Sequence, residues 1–247
     1  MIRKLAGLIV LGLVASVAPG VGVAAVTCPI PLPQGGDPVT LDPVDFVERI
    51  DNPFWPMTPG TTWVYREADT HGNEQRVVVE VKQRTKQILG ITATVVRDTV
   101  TEGGELVEDT FDWYAQDVCG NVWYLGENTK EYEDGVLVST AGSWEAGVGG
   151  ALAGVIVPAD PQVGLTYRQE YLAGEAEDAA AVLSIDEQAQ VPAGHFTAVL
   201  LTKDYTPLQR RVLEYKLYAR GIGPVLVLGV SGGSDQERLL SFEPPAA

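Results

Sequence analysis

Val77-Val78-Val79-Glu80-Val81-Lys82 reads as a β-strand, because Val77, Val79 and Val81 fall on one face and Val78, Glu80 and Lys82 on the other. The same two-residue period returns in Thr110-Phe111-Asp112-Trp113-Tyr114-Ala115 and in Leu213-Glu214-Tyr215-Lys216-Leu217-Tyr218, each with one greasier face. Between such runs stand His71-Gly72-Asn73, Gly103-Gly104, Gly120-Asn121 and Asp134-Gly135, where glycine or asparagine suits a tight hairpin. Strands do not alternate with helical segments, which argues against a parallel α/β sheet. The expectation is an all-β fold: an antiparallel meander of about eleven strands curled into an open or half-closed barrel, forming one β domain over residues 52–247.

Upstream of that domain, residues 26–51 form a Pro/Gly-rich strap with one short N-terminal helix. Asp42 can cap this helix, Pro43 fits its first turn, and Val44, Val47 and Ile50 share a face before Asn52-Pro53 stops it. Residues 1–25 have the layout of a signal peptide: basic Arg3-Lys4, an apolar run from Leu5 to Val17, a break at Pro19-Gly20 and a small-residue exit at Val23-Ala24-Ala25. Pro19 and the leader's glycines weigh against an uncleaved anchor, so no membrane span is expected after cleavage. Thr27 before Cys28 weighs against lipidation. The expected location is secreted, or periplasmic and cell envelope. There Cys28 and Cys119 can form a disulfide, the alternative being two unpaired thiols.

The chain holds 33 acids against 17 bases, and loss of the leader removes two of the bases. Such a charge repels polyphosphates, which excludes nucleic acid and anionic lipid surfaces as natural partners. The acids are spread over strand faces and hairpin tips, the pattern of a solvated exterior.

Several constellations could carry chemistry. Gly229-Val230-Ser231-Gly232-Gly233 fits the G-x-S-x-G elbow of serine hydrolases, but that elbow needs a following helix and a later histidine, whereas His71 and His195 both precede it. A glycine-rich turn explains the same residues. Asp112, Asp117, Asn121 and Glu127 are the best calcium candidates, against a local Asx-type turn at Asp117; no other cofactor is expected. Trp113, Trp123, Tyr124 and Trp144 could line a cavity for an apolar or sugar-like ligand, against plain core packing. Residues 145–165, rich in glycine, read as a long loop whose Val155-Ile156-Val157 plugs the core, with a mobile lid as the alternative.

Two stretches carry a resemblance. Asn52-Pro53-Phe54-Trp55-Pro56-Met57-Thr58-Pro59-Gly60-Thr61-Thr62-Trp63-Val64-Tyr65 resembles the aromatic-Pro-Leu-x-x-Gly-x-x-Trp-x-Tyr opening of uncharacterised secreted and lipoprotein β-domains of bacteria. Val191-Pro192-Ala193-Gly194-His195-Phe196 and Tyr218-Ala219-Arg220-Gly221-Ile222-Gly223-Pro224-Val225 resemble their closing Val-Pro-Ala-Gly-x-Phe and Tyr-x-x-Gly-x-Gly-x-Val elements. Met57 and His195 depart from that pattern. The resemblance implies a curled antiparallel sheet in a cell-envelope protein and no catalytic residue. The functional expectation is a secreted, non-enzymatic protein that binds an apolar or amphiphilic ligand or an envelope partner. Its alternatives are a calcium-dependent binding module and a secreted hydrolase.

Overall fold

The computed structural model describes residues 30–245, so the leader and Cys28 lie outside the described residues. Within them the chain is antiparallel β-structure with one 3-10 turn. After β1 (Phe46–Val47) come β2 (Thr62–Ala68), β3 (Glu74–Ile88), β4 (Ile91–Glu102), β5 (Glu105–Asp117) and β6 (Val122–Asn128). Three short pieces follow: β7 (Glu131–Glu133), β8 (Val136–Ser139) and β9 (Trp144–Glu145). The wall resumes with β10 (Leu152–Val157), β11 (Thr166–Arg168), β12 (Glu170–Tyr171), β13 (Ala179–Val191) and β14 (Gly194–Tyr205). It ends with β15 (Leu213–Ala219), β16 (Gly223–Ser231) and β17 (Gln236–Glu243). Of these 17 strands six are two to four residues long and eleven are longer, close to the expected number of about eleven, although one of the eleven, β10, lies in a segment expected to be a loop.

The ladders run round a full circuit. Successive hairpins pair β2 through β6 and β13 through β17, β17 returns to β2 (Glu243 opposite Thr62, Gln236 opposite Ala68), and β6 pairs β10. The seam is a two-residue link between β10 and β12, with β11 joining β13. The sheet is thus a near-closed barrel. Gly154 makes the seam possible, since a Cβ there would collide with the Gln169 carbonyl, between β11 and β12. Residues 145–165 therefore differ from the expected loop. Their centre is the wall strand β10, with Val155 and Val157 fully buried, and glycine hides the alternation that would mark it as a strand.

The expected helix is a single 3-10 turn, Pro43–Asp45. The Asp42 side chain accepts from the Val44 amide at 3.1 Å. Its apolar face does not form, Val44 being 79% exposed. Tertiary contacts win over local propensity here. Phe46 packs edge-on against Trp123, and Phe46 and Val47 pair with Asp117 and Gln116 of β5. The Gln116 side chain accepts from the Asp51 and Asn52 amides and donates to the Asp51 carboxylate, which holds this segment extended. Phe54, Met57 and Trp63, all buried, then close one end of the barrel.

The strap is fastened at the seam by Arg168, which is 1% exposed. Its guanidinium donates to the carbonyls of Gly35, Asp37 and Ala153 at 2.6–2.7 Å, and its backbone amide donates to Pro33. Charge-assisted bonds of this kind are expensive to lose, because the carbonyls stay buried without a donor. Arg168→Met is expected to cost about 3 kcal/mol in urea unfolding; a loss under about 1 kcal/mol would mean the strap is held by apolar contact alone.

Candidate functional site: an acidic lumen

The barrel encloses a cavity of about 450 Å³. Its lining follows from the two-residue period, because every second residue of a wall strand points inward. On β2 Tyr65 is followed inward by Glu67, and on β4 Val96 by Asp98. On β5, running the other way, Tyr114 is followed by Asp112, and on β15 Tyr218 by Lys216 and then Glu214. The ladder register aligns these pairs, so that in each case the second residue lies nearer the same end of the barrel. Tyr124 and Glu127 of β6 repeat the order across a bulge, and Glu237 of β17 joins the acidic layer. The lumen is therefore graded from an aromatic floor to an acidic mouth.

The floor is built on Trp55, whose ring centre lies 5.5 Å from that of Tyr114 and 6.1 Å from that of Tyr218. Tyr114 stacks on Tyr124 at 4.9 Å. Gly223, at φ +115°, gives the Trp55 indole its seat, and any Cβ there would strike the ring. Trp63 and Tyr65 tie the floor to the wall by donating to the Ile222 and Pro224 carbonyls at 2.8 and 3.0 Å.

Nine carboxyl groups face the cavity, and Lys216 is the one base among its described lining residues. That lysine is already bonded to Asp204 at 3.1 Å, with Glu214 at 3.9 Å. Asp204 itself accepts from Thr202 at 2.6 Å and Gln169 at 3.0 Å. Burial works against the Lys216 charge, yet Asp204, Tyr218 and Glu214 hold it protonated well above the ordinary lysine range. Lys216 also acts at longer range on Glu170, Asp178 and Glu237, and the hydrogen bonds to the remaining acids come from neutral groups. Asp112 accepts from the Tyr124 hydroxyl at 2.7 Å, Glu127 from Thr129 at 3.0 Å, and Glu170 from the Trp144 indole at 2.8 Å. One oxygen of Asp98 is buried with no hydrogen-bond partner among the described residues.

Desolvation and mutual repulsion lift these acids. Burial, then Glu127, pushes Asp112 up to about 8. Burial, then Asp178 and Glu127, pushes Glu170 up to about 8. Burial alone leads for Glu127, and burial with Glu67 for Glu237, each lifted to about 7. Asp98 is lifted well above the carboxylate range by burial and by Asp112. Near neutrality the lumen is a set of partly protonated acids, chemistry suited to receiving positive charge.

Of the four aromatic candidates, Tyr124 lines the lumen. Trp144 is buried beside it, edge-on to Tyr124 at 5.2 Å. Trp113 points to the opposite face of β5, into a separate groove, with the Lys86 ammonium 3.2 Å over its ring. Trp123 is fully buried and donates to Asp117 at 2.9 Å. The four calcium candidates divide into two pairs. Asp112 and Glu127 face each other across β5 and β6 in the lumen. Asp117 and Asn121 sit in the next turn, where Asp117 accepts from the Cys119 and Asn121 amides and the Asn121 side chain. Among the described residues no three His, Cys, Asp or Glu side chains are grouped to hold a metal ion.

The G-x-S-x-G stretch is the turn from β16 into β17, with no helix after it, and the Ser231 hydroxyl donates to the Arg211 carbonyl at 2.5 Å. His71 is an exposed tip residue, 3.4 Å from Asp69, and His195 is exposed at the start of β14. The acids do not all sit on a solvated exterior, as their even spread suggests; the lumen takes nine of them. Trp55, Tyr65 and Tyr218 stand in the opening and closing stretches quoted above but are not among the cavity candidates, and Asp98 carries no sequence motif. The signal that marks the wall positions is an aromatic or apolar residue two positions from an acid, as in Tyr65 and Glu67, Val96 and Asp98, and Tyr114 and Asp112.

A sheet closed on itself around a cavity of this size is the architecture that holds small molecules inside a barrel. Two solved structures are distantly similar to the chain: a candidate lipoprotein of Parabacteroides distasonis and a candidate exported protein with a YmcC-like fold from Bacteroides fragilis. Each is 14% identical with a TM-score of 0.44 over 77% of this chain, covering 98% of the first and 99% of the second. No protein-family model and no curated protein matches the chain.

Proposed function

We propose that the chain is an exported, non-enzymatic binding protein, built as a single barrel domain, that holds a small amphiphilic molecule in its lumen. The observation that carries this reading is the gradient from the Trp55, Tyr114 and Tyr218 floor to the acidic mouth. A cavity of about 450 Å³ falls in the usual range for small-molecule sites, roughly 300–1,000 Å³. The leader at residues 1–25 and a Cys28–Cys119 bridge complete the proposal. Intact mass of the exported protein is expected to show an N-terminus at Val26 and a bridge that opens on reduction. Docking to an envelope partner is a second reading, favoured by the exposed apolar run Val136, Leu137 and Val138 on β8.

Titration with the neutral fluorophore N-phenyl-1-naphthylamine tests the lumen. Saturable binding with a blue-shifted emission is expected, and Val96→Trp, which fills the cavity from β4, is expected to abolish it. Probe binding that ignores this substitution would place the site elsewhere.

A further inference from the structure

The lumen shows which kind of amphiphile it suits. Eight of its nine carboxyl groups have no lysine, arginine or histidine within ion-pair distance among the described residues, and Glu214 has only Lys216 at 3.9 Å. Such a concentration of unpaired buried acids is costly for a fold, since each must be desolvated, protonated or matched by a charge. The Asp98 oxygen has none of the usual compensation: it is buried, lines the cavity wall and has no donor. A carboxyl group on the cavity wall with one oxygen buried and without a donor is complementary to positive charge that arrives from outside.

We infer that the molecule held in the lumen is an organic cation, its ammonium group seated among Asp98, Asp112, Glu127 and Glu237 and its apolar part resting on Trp55, Tyr114 and Tyr218. This rests on the reading of the lumen as an amphiphile site and names the charge of the ligand. An organic cation fits better than a metal ion for two reasons. The acids are spread round the wall on different strands, with no three grouped to hold an ion. The layer beneath them is aromatic, and aromatic faces attract an alkylammonium, which keeps an apolar surface, more effectively than a hydrated metal ion. The partly protonated state of the acids adds support, because an entering ammonium displaces protons and removes their mutual repulsion.

Three ten-carbon probes of matched length separate this inference from the reading beneath it: decyltrimethylammonium, decanoate and 1-decanol, each titrated below its aggregation threshold by calorimetry on the full mature protein. Decyltrimethylammonium is expected to bind at least about tenfold more tightly than 1-decanol, with decanoate weakest, and to release protons, read as a binding heat that varies linearly with buffer ionisation enthalpy. Equal binding of all three would overturn the cationic assignment while leaving the amphiphile site standing. Binding of none would overturn both. Tighter binding of calcium than of decyltrimethylammonium would overturn the choice of an organic cation. Asp98→Asn provides the residue test: it replaces a buried acid that must be either protonated or left as an uncompensated charge by a neutral group of the same shape, so the variant should fold at least as well as the parent. It is expected to lose about tenfold in decyltrimethylammonium affinity and to leave 1-decanol affinity unchanged; equal losses for both probes would mean that Asp98 only shapes the cavity.

Discussion

Raising the pH from about 5 to about 8.5 is expected to lower the stability of the ligand-free protein by on the order of 5 kcal/mol, or roughly 10–20 °C in Tm. The sign follows from the lumen acids. Asp112 and Glu170 titrate near 8 in the folded protein, and Glu127 and Glu237 near 7, against ordinary values of 3.8 and 4.5. Between the ordinary and the raised values the folded chain keeps protons that the unfolded chain has released. Stability therefore falls with pH across this window, by about 1.4 kcal/mol per retained proton per pH unit, and the penalty is complete above about pH 8. Below about pH 4 both states are protonated and these groups contribute nothing. The groups repel one another and share a solvated cavity, so the total is far below the sum of four independent shifts. Lys216, bonded to Asp204, stays charged throughout and does not reverse the trend. Thermal unfolding in low-salt buffers across this range is the measurement. A flat or rising Tm would show that the acids are not buried together as described.

Asp117→Ala is expected to cost about 4 kcal/mol, roughly 8–16 °C in Tm. Asp117 is 1% exposed, and its two oxygens accept four hydrogen bonds: from the Cys119 and Asn121 amides, the Asn121 side chain and the Trp123 indole. Alanine leaves four donors unsatisfied in a buried turn and unties Trp123, on whose edge Phe46 rests. Asp117→Asn is expected to fall between the two, because its carbonyl can still accept while its amide faces donors. Urea unfolding of both variants checks the order. A cost below about 1 kcal/mol for alanine would mean that water replaces the carboxylate, a use of the turn quite unlike the one described.

The strands were legible in the sequence, but the sense of inside and outside was legible only in part. Val77, Val79 and Val81 point inward as their greasiness suggests. On β5 and β15 the rule inverts: Trp113 and Tyr215 turn away from the lumen, while Asp112, Tyr114, Lys216 and Tyr218 turn into it. Hydrophobic patterning assumes a packed interior, and a barrel that keeps a cavity puts polar residues where the rule expects a core. The outward aromatics are sheltered instead by the stems and charges of neighbours, as Lys86 covers Trp113. Candidate residues chosen for being large or clustered thus found Tyr124, Asp112 and Glu127. They missed Asp98 and Trp55, whose significance comes from register between strands far apart in sequence.

That register also governs assembly in time. The barrel is sealed by β17 against β2, strands from opposite ends of the domain. Pairing of such distant segments is slow, because the chain must lose much of its freedom before that contact forms. The cavity consequently has no partial form: a chain still emerging from a ribosome has hairpins to form but no lumen. The acids destined for it remain in water, ionised and mutually repelling, until the last strand closes the wall and raises their affinity for protons.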